Sequence, residues 1–249
     1  TYASAGVPTI KKYAPGAAFV GKLRGDSITT HVYGSYRANS GATIMKLTYN
    51  GTNICSSGSY PSGELIVTRH DKEHSQQTLL YKDRNDRLIC KSVFDGGDWQ
   101  HTYYIYNDIG KLIFIVPPKA SADIADNGCA TIDLKKLCFS YEYDKSGNTI
   151  KTQTPGKTGQ DYAVYNYYER QVLSQTPLMR SKNQWFFRLY DQLGREVMTG
   201  IYTGTDALSY WQALARGETS AVSRPLTATQ TLDYWLTNHL ENNAYPDTL

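Results

Sequence analysis

Between Ala42 and Tyr202 short apolar runs alternate with turn-forming clusters, among them Asn50-Gly51, Pro61-Ser62-Gly63, Asp95-Gly96-Gly97-Asp98 and Pro155-Gly156. Strands of four to eight residues separated by such punctuation predict an antiparallel β protein. In Thr102-Tyr103-Tyr104-Ile105-Tyr106 every residue is β-branched or aromatic, the types that fit a pleated surface. Asp108 is suited to bond the backbone ahead of it, and Gly110 supplies the positive φ that closes a short hairpin loop. The chain returns as Leu112-Ile113-Phe114-Ile115-Val116 and meets Pro117-Pro118, where missing N–H groups end the ladder. Apolar spacing changes after Thr205. Asp206 to Arg216, followed by Gly217, and Thr231 to Leu240 read as short amphipathic helices.

The same hairpin phrase recurs. It reads Tyr106-Asn107-Asp108-Ile109-Gly110, Tyr143-Asp144-Lys145-Ser146-Gly147 and Tyr190-Asp191-Gln192-Leu193-Gly194. Two degenerate copies start at Tyr81 and Tyr165, so the starting tyrosines stand 25, 37, 22 and 25 residues apart. Self-similarity at this period predicts stacked supersecondary units. The turn residues of the full copies are then Asp108 and Gly110, Asp144 and Gly147, Asp191 and Gly194. Asp86 and Glu169 stand where a glycine would, and those turns are expected to take another geometry, because a left-handed Glu costs about 1–2 kcal/mol. Residues 1–40 form a Gly/Ser/Tyr-rich lead, 41–205 the hairpin repeats and 206–249 a partly helical segment. No low-complexity linker divides them, which favours one continuous body.

Composition sharpens this picture in two places. The chain has 21 Tyr against 6 Phe, a bias toward rings with a polar end that suits sheets wet on one face. Its net charge of +3 comes from interspersed signs with no basic run, so nucleic acid is not an expected partner. No apolar stretch reaches the roughly 18 residues of a spanning helix. Cys55, Cys90, Cys129 and Cys138 show no metal-ligand spacing. Cys129 and Cys138 are close enough in sequence to bridge, but four buried thiols acting as small hydrophobes is the preferred reading.

These residues resemble the bacterial RHS/YD-repeat family, named for its Tyr-Asp pair. The resemblance runs from Tyr60-Pro61-Ser62-Gly63 through Tyr81-Lys82-Asp83 to Arg87, and through Tyr104 to Pro118. It continues in Tyr141-Glu142-Tyr143-Asp144 running to Thr154-Pro155-Gly156, and in Trp185 to Arg195 leading into Thr199-Gly200-Ile201-Tyr202. Asn242-Asn243-Ala244-Tyr245-Pro246 resembles the passage before a further repeat, so the chain is expected to be a piece of a longer protein. The resemblance implies a strip of antiparallel sheet in a curved or spiralling wall, mainly β with one or two short helices near the C-terminus. In many such proteins the wall becomes a shell around a C-terminal toxin. A shell needs many more strands than this chain provides, and neither toxin nor self-cleavage motif is present. The implied role is a non-enzymatic scaffold, extracellular or at the cell surface, whose partners are the remaining repeats or a C-terminal domain. Open strand edges predict self-association.

Three patterns carry competing chemistry. His70-Asp71-Lys72-Glu73-His74 fits an inverted zinc-peptidase motif, which needs both histidines on one helical face. Strand-like Leu65–Thr68 and Thr78–Tyr81 flank it, so a solvated hairpin tip is preferred over zinc hydrolysis and no metal is expected. Arg24-Gly25-Asp26 spells an integrin tripeptide, but Gly-Asp is ordinary turn chemistry. Tyr103, Tyr165, Tyr167 and Trp185 on one exposed face would stack on sugar rings, making a carbohydrate- or cell-surface-binding module the alternative function. The bland reading is cross-strand packing. No P-loop, GxSxG or dinucleotide fingerprint is present, and no cofactor is expected.

Overall fold

The computed structural model describes residues 9–11, 29–32, 43–71, 77–94, 96–131, 133–190 and 193–216. The expected mainly antiparallel β architecture is what the chain adopts, with few and short helices. Contacts divide it into two compact units, Thr1–Cys138 and Phe139–Leu249. The division falls inside the longest spacing between repeat tyrosines, the 37 residues from Tyr106 to Tyr143.

In the first unit the strands are β1 (Thr9–Lys11), β2 (Thr29–Val32), β3 (Met45–Tyr49), β4 (Ile54–Ser59), β5 (Ile66–Asp71), β6 (Gln77–Lys82), β7 (Leu88–Phe94), β8 (Trp99–Tyr106) and β9 (Leu112–Val116). The sheet order is β1-β2-β5-β6-β7-β8-β9, while β3 and β4 pair separately. The lead segment thus supplies strands: β2 pairs antiparallel with β5, His31 opposite Arg69. Along β8 the residues Tyr103 and Ile105 are buried and their neighbours less so, the period of two that a half-covered sheet requires. They join Ile44, Ile54, Leu65, Val67 and Val116 in one core.

That core is closed by the β3–β4 hairpin and by α1 (Pro118–Asn127). The Pro118 that ends the ladder opens this helix, since a first-turn N–H has no intrahelical partner to lose. Gly128, at φ 76°, ends it by donating to the Ile124 carbonyl at 2.8 Å. Only Ala120, Ser121 and Ile124 are buried, a stripe too thin to stand out as helical in the sequence. Beyond it Ser56 N–H donates to Gly128 and Ala130 N–H to Ile54, laying residues 128–130 beside β4. This brings Cys55 and Cys129 together in a disulfide, while Cys90 and Cys138 are buried thiols. The pairing corrects both sequence readings of the cysteines. Its partners are 74 residues apart and meet only because α1 folds back over the sheet.

The second unit starts with β10 (Phe139–Tyr143), after the one-turn α2 (Leu134–Leu137) of the first. It continues with β11 (Thr149–Gln153), β12 (Asp161–Tyr165), β13 (Gln171–Gln175), α3 (Pro177–Ser181), β14 (Gln184–Tyr190), β15 (Glu196–Thr203) and α4 (Leu208–Ala215). Its strands pair in chain order as a meander. Trp185, Phe187 and Leu189 alternate into the core with Val164, Val172 and Leu173, and α4 covers them with Trp211, Leu214 and Ala215. The expected helix at Asp206 therefore forms, but it starts later, with Ala207 as its N-cap. The helix expected at Thr231–Leu240 lies outside the described residues.

Candidate functional site

The repeat phrase is where sequence and geometry meet most closely. The ladder register shifts at Tyr81/Lys82, Ile105/Tyr106, Glu142/Tyr143, Val164/Tyr165 and Leu189/Tyr190. The residue after each shift enters the turn, so in the first copy Lys82, not Tyr81, holds the tyrosine's place. Tyr81 itself is a core residue. The next residue is Asp83, Asn107, Asp144 or Asn166, and each anchors its turn. Asp83 Oδ1 accepts from Asn85 and Arg87 N–H at 2.9 Å each, Asp144 Oδ1 from Ser146 and Asn148 at 2.9 Å, and Asn166 Oδ1 from Tyr168 and Arg170 at 3.0 Å. In the Tyr106 copy the anchor is Asn107, accepting from Lys111 N–H at 2.8 Å, one residue before exposed Asp108. Asp191 lies outside the described residues.

Three residues after each anchor the backbone is left-handed. Gly110, Gly147 and Gly194 have φ of 80°, 90° and 82°, and Asp86 and Glu169 have 61° and 60°. The expectation that the non-glycine turns would differ is therefore corrected. The anchor's side-chain bonds and the N–H of position three donating to the anchor's carbonyl, at 3.1 Å for Asp86 and 2.9 Å for Glu169, hold these residues where they cost about 1–2 kcal/mol.

One copy also touches the next. The Tyr106 hydroxyl donates to the Leu88 carbonyl at 3.0 Å, and the Tyr190 hydroxyl to the Gln171 carbonyl at 2.9 Å. Leu88 and Gln171 each stand five residues after the preceding anchor. The Arg87 guanidinium lies 5.2 Å from the Tyr106 ring and Arg170 lies 5.8 Å from that of Tyr190. The same arginines reach the next turn: a Cβ on Gly194 would sit 2.6 Å from Arg170 Cζ, and one on Gly110 would sit 3.8 Å from Arg87 Nη1. Burial raises the Tyr106 and Tyr190 phenols above their ordinary range against the lowering effect of the arginines, so both remain neutral donors. At Tyr106 and Tyr190 phenylalanine would keep the ring and lose the bond.

The aromatic strip envisaged for sugar stacking is not formed. Tyr103 is 2 % exposed and Trp185 1 %, both in cores, while Tyr165 is half-buried. Tyr167, at 77 %, lies edge-on to Tyr168 at a turn tip, 5.5 Å between centroids. Tyr103 instead ties β8 to the covering hairpin, its hydroxyl accepting from Met45 N–H at 3.3 Å. His70 is a strand residue opposite Thr30 and Thr78, not part of a helical turn. Glu73 and His74 lie outside the described residues, as does Arg24-Gly25-Asp26. No metal-holding cluster occurs among the described residues.

Two further constellations were not legible in the sequence. Cross-strand pairing of β7 with β8 sets Ser92 opposite His101, with Ser92 Oγ 2.7 Å from Nδ1 and Cys90 Sγ 3.6 Å from Oγ. Burial pushes the Cys90 thiol up to about 12 and lowers His101, so near neutral pH both are uncharged. Ser92 is 1 % exposed, and the group serves as a satisfied polar cluster inside the sheet. In the second unit, the nitrogens Arg180 Nη1, Trp185 Nε1, Trp211 Nε1 and Gln212 Nε2 and the oxygens Gln153 Oε1 and Asp161 Oδ1 are buried with no hydrogen-bond partner. An unmade bond of this kind costs about 1–3 kcal/mol.

The chain resembles the crystal structure of TcdB2-TccC3-TEV at 17% identity and a TM-score of 0.44, over 73% of this chain and 9% of that one. It resembles TcdB2-TccC3 without its hypervariable C-terminal region at 16% identity and the same TM-score, over 71% and 8% of the two chains. The likeness is one of backbone path and carries no function with it. No family model and no curated protein match the chain.

Proposed function

We propose that this chain is a non-enzymatic structural segment of an RHS-type repeat wall, acting at or outside the cell surface together with further repeats or a C-terminal domain. The observation that supports this reading is the coupling of successive hairpins through Tyr106 with Arg87 in the first unit and Tyr190 with Arg170 in the second. The residues of the phrase are spent on holding one hairpin to the next, as expected where stability is a sum of neighbour interfaces. The Cys55–Cys129 disulfide fits an oxidising compartment. A double-mutant cycle of Arg170→Met and Tyr190→Phe tests the coupling. Tyr190→Phe alone should destabilise by about 1 kcal/mol in denaturant titrations, and the pair should show a coupling of about 0.5–1 kcal/mol. Strict additivity would leave the scaffold reading without its support.

A further inference from the structure

The last strand of the second unit's meander, β15, has β14 on one side and none of the described strands on the other. Gly204 N–H donates to the Asn183 carbonyl at 2.8 Å, so the backbone there faces β14. Direction alternates along an antiparallel strand. Tyr202 and Gly200 therefore face β14 too, and the N–H and C=O groups of Thr199, Ile201 and Thr203 point off the sheet. The ladder irregularity, opposite Leu189/Tyr190, lies before these groups and leaves them in register. Edges are ordinarily guarded by lysine, proline or an inward charge. From Glu196 to Thr203 there is no Lys or Pro, and the one charge, Glu196, is paired with Arg188 at 3.3 Å. Apolar side chains are exposed instead: Val197, Met198 and, at 52 %, Ile201.

Such an edge accepts an extended strand that is apolar and brings no unpaired charge, and β15 is itself such a strand. We propose that the β15 edge pairs with the same edge of a second copy of this chain. An antiparallel pair about a two-fold axis at Ile201 sets Thr199 opposite Thr203 of the partner subunit and Ile201 opposite its own copy. Every outward N–H and C=O of Thr199, Ile201 and Thr203 is then bonded. Ile201 gains an apolar neighbour flanked by threonine pairs, with no like charges opposed. The contact is isologous, so it closes as a dimer. It holds whether or not the chain is part of a wall.

Sedimentation velocity of the whole chain at about 100 μM, a concentration that populates complexes with a Kd at or below it, should show a species of twice the chain's mass. Ile201→Lys opposes two cations at the axis. It should keep the fold by circular dichroism and weaken the dimer at least about tenfold. Ile201→Cys reads the register directly. Hydrogen-bonded partners stand about 5.5 Å apart at Cα, within the reach of a disulfide. Oxidised glutathione should therefore turn the Ile201→Cys chain into a cross-linked dimer on a non-reducing gel. Leu193→Cys, as exposed but at the turn tip, should stay monomeric on that gel. A monomer alone at about 100 μM, an undiminished dimer in Ile201→Lys, or equal cross-linking of the two cysteine variants would each overturn the proposal.

Discussion

The two units cover similar sheets in different ways. In the first, a hairpin and α1 close the core, and a disulfide joins Cys55 of the hairpin to Cys129 beyond the helix. In the second, α4 alone lies over the core. Trp211 there meets Trp185, Tyr202 and Tyr210 with centroids 5.2–6.3 Å apart, and Arg216 pairs with Asp144 at 2.5 Å. One lid is stapled covalently, and the other is held by aromatic packing and an ion pair on a turn anchor. The difference tracks local sequence. The α1 stripe buries only small residues and one isoleucine, too little apolar area to hold a lid alone, whereas α4 brings a tryptophan and a leucine.

Breaking the staple should have the largest effect. The double substitution Cys55→Ala, Cys129→Ala frees a chain separation of 74 residues and should destabilise the first unit by about 4 kcal/mol. Hydrogen exchange read unit by unit should show the loss in residues 43–131 and little change in residues 139–216. An equal loss in both would mean that the lids are not independent.

Turn glycines sharpen the contrast at a smaller scale. Gly194→Ala meets both a φ of 82° and the Arg170 guanidinium, whereas Gly110→Ala meets the same φ with Arg87 at ordinary contact distance. Gly194→Ala should therefore cost about 2 kcal/mol or more and Gly110→Ala about 1 kcal/mol in urea titrations. Equal costs would show that the guanidinium yields freely.

Acid should expose the second lid by the smallest step. Burial acts to raise the Asp144 carboxyl, but the bonds from Asn148, the charge of Arg216 and the Ser146 N–H together bring it below its ordinary value. A carboxyl depressed in the folded state contributes stability that is complete above its unfolded value, about pH 4, and is lost as pH falls through the folded one. Melting of the second unit followed from pH 6 to 2 should show this loss below about pH 4. Arg216→Ala should shrink the step, and an unchanged step would put the shift down to Asn148 and Ser146 alone.

Much of this architecture is visible in residue order. The tyrosine phrase marks where a strand ends and a turn begins, because Asx side chains and left-handed glycines are local chemistry whose partners lie within four residues. The same locality misled at Lys82, where a neighbouring tyrosine placed the copy one residue early, and at Asp86 and Glu169, where the anchor imposes a conformation the residue type disfavours. The helix at Pro118 was hidden because two prolines read as a strand stop, and they also open a helix.

Residue order by itself determined the antiparallel class, the repeat and its turns, all of which depend on contacts between near neighbours. Tertiary structure alone decided the Cys55–Cys129 pairing, the burial of Tyr103 and Trp185, and the Ser92–His101 pair. Each depends on contacts between strands and covering helices, and the place of α1 or α4 over its sheet is set by packing between residues far apart in the chain.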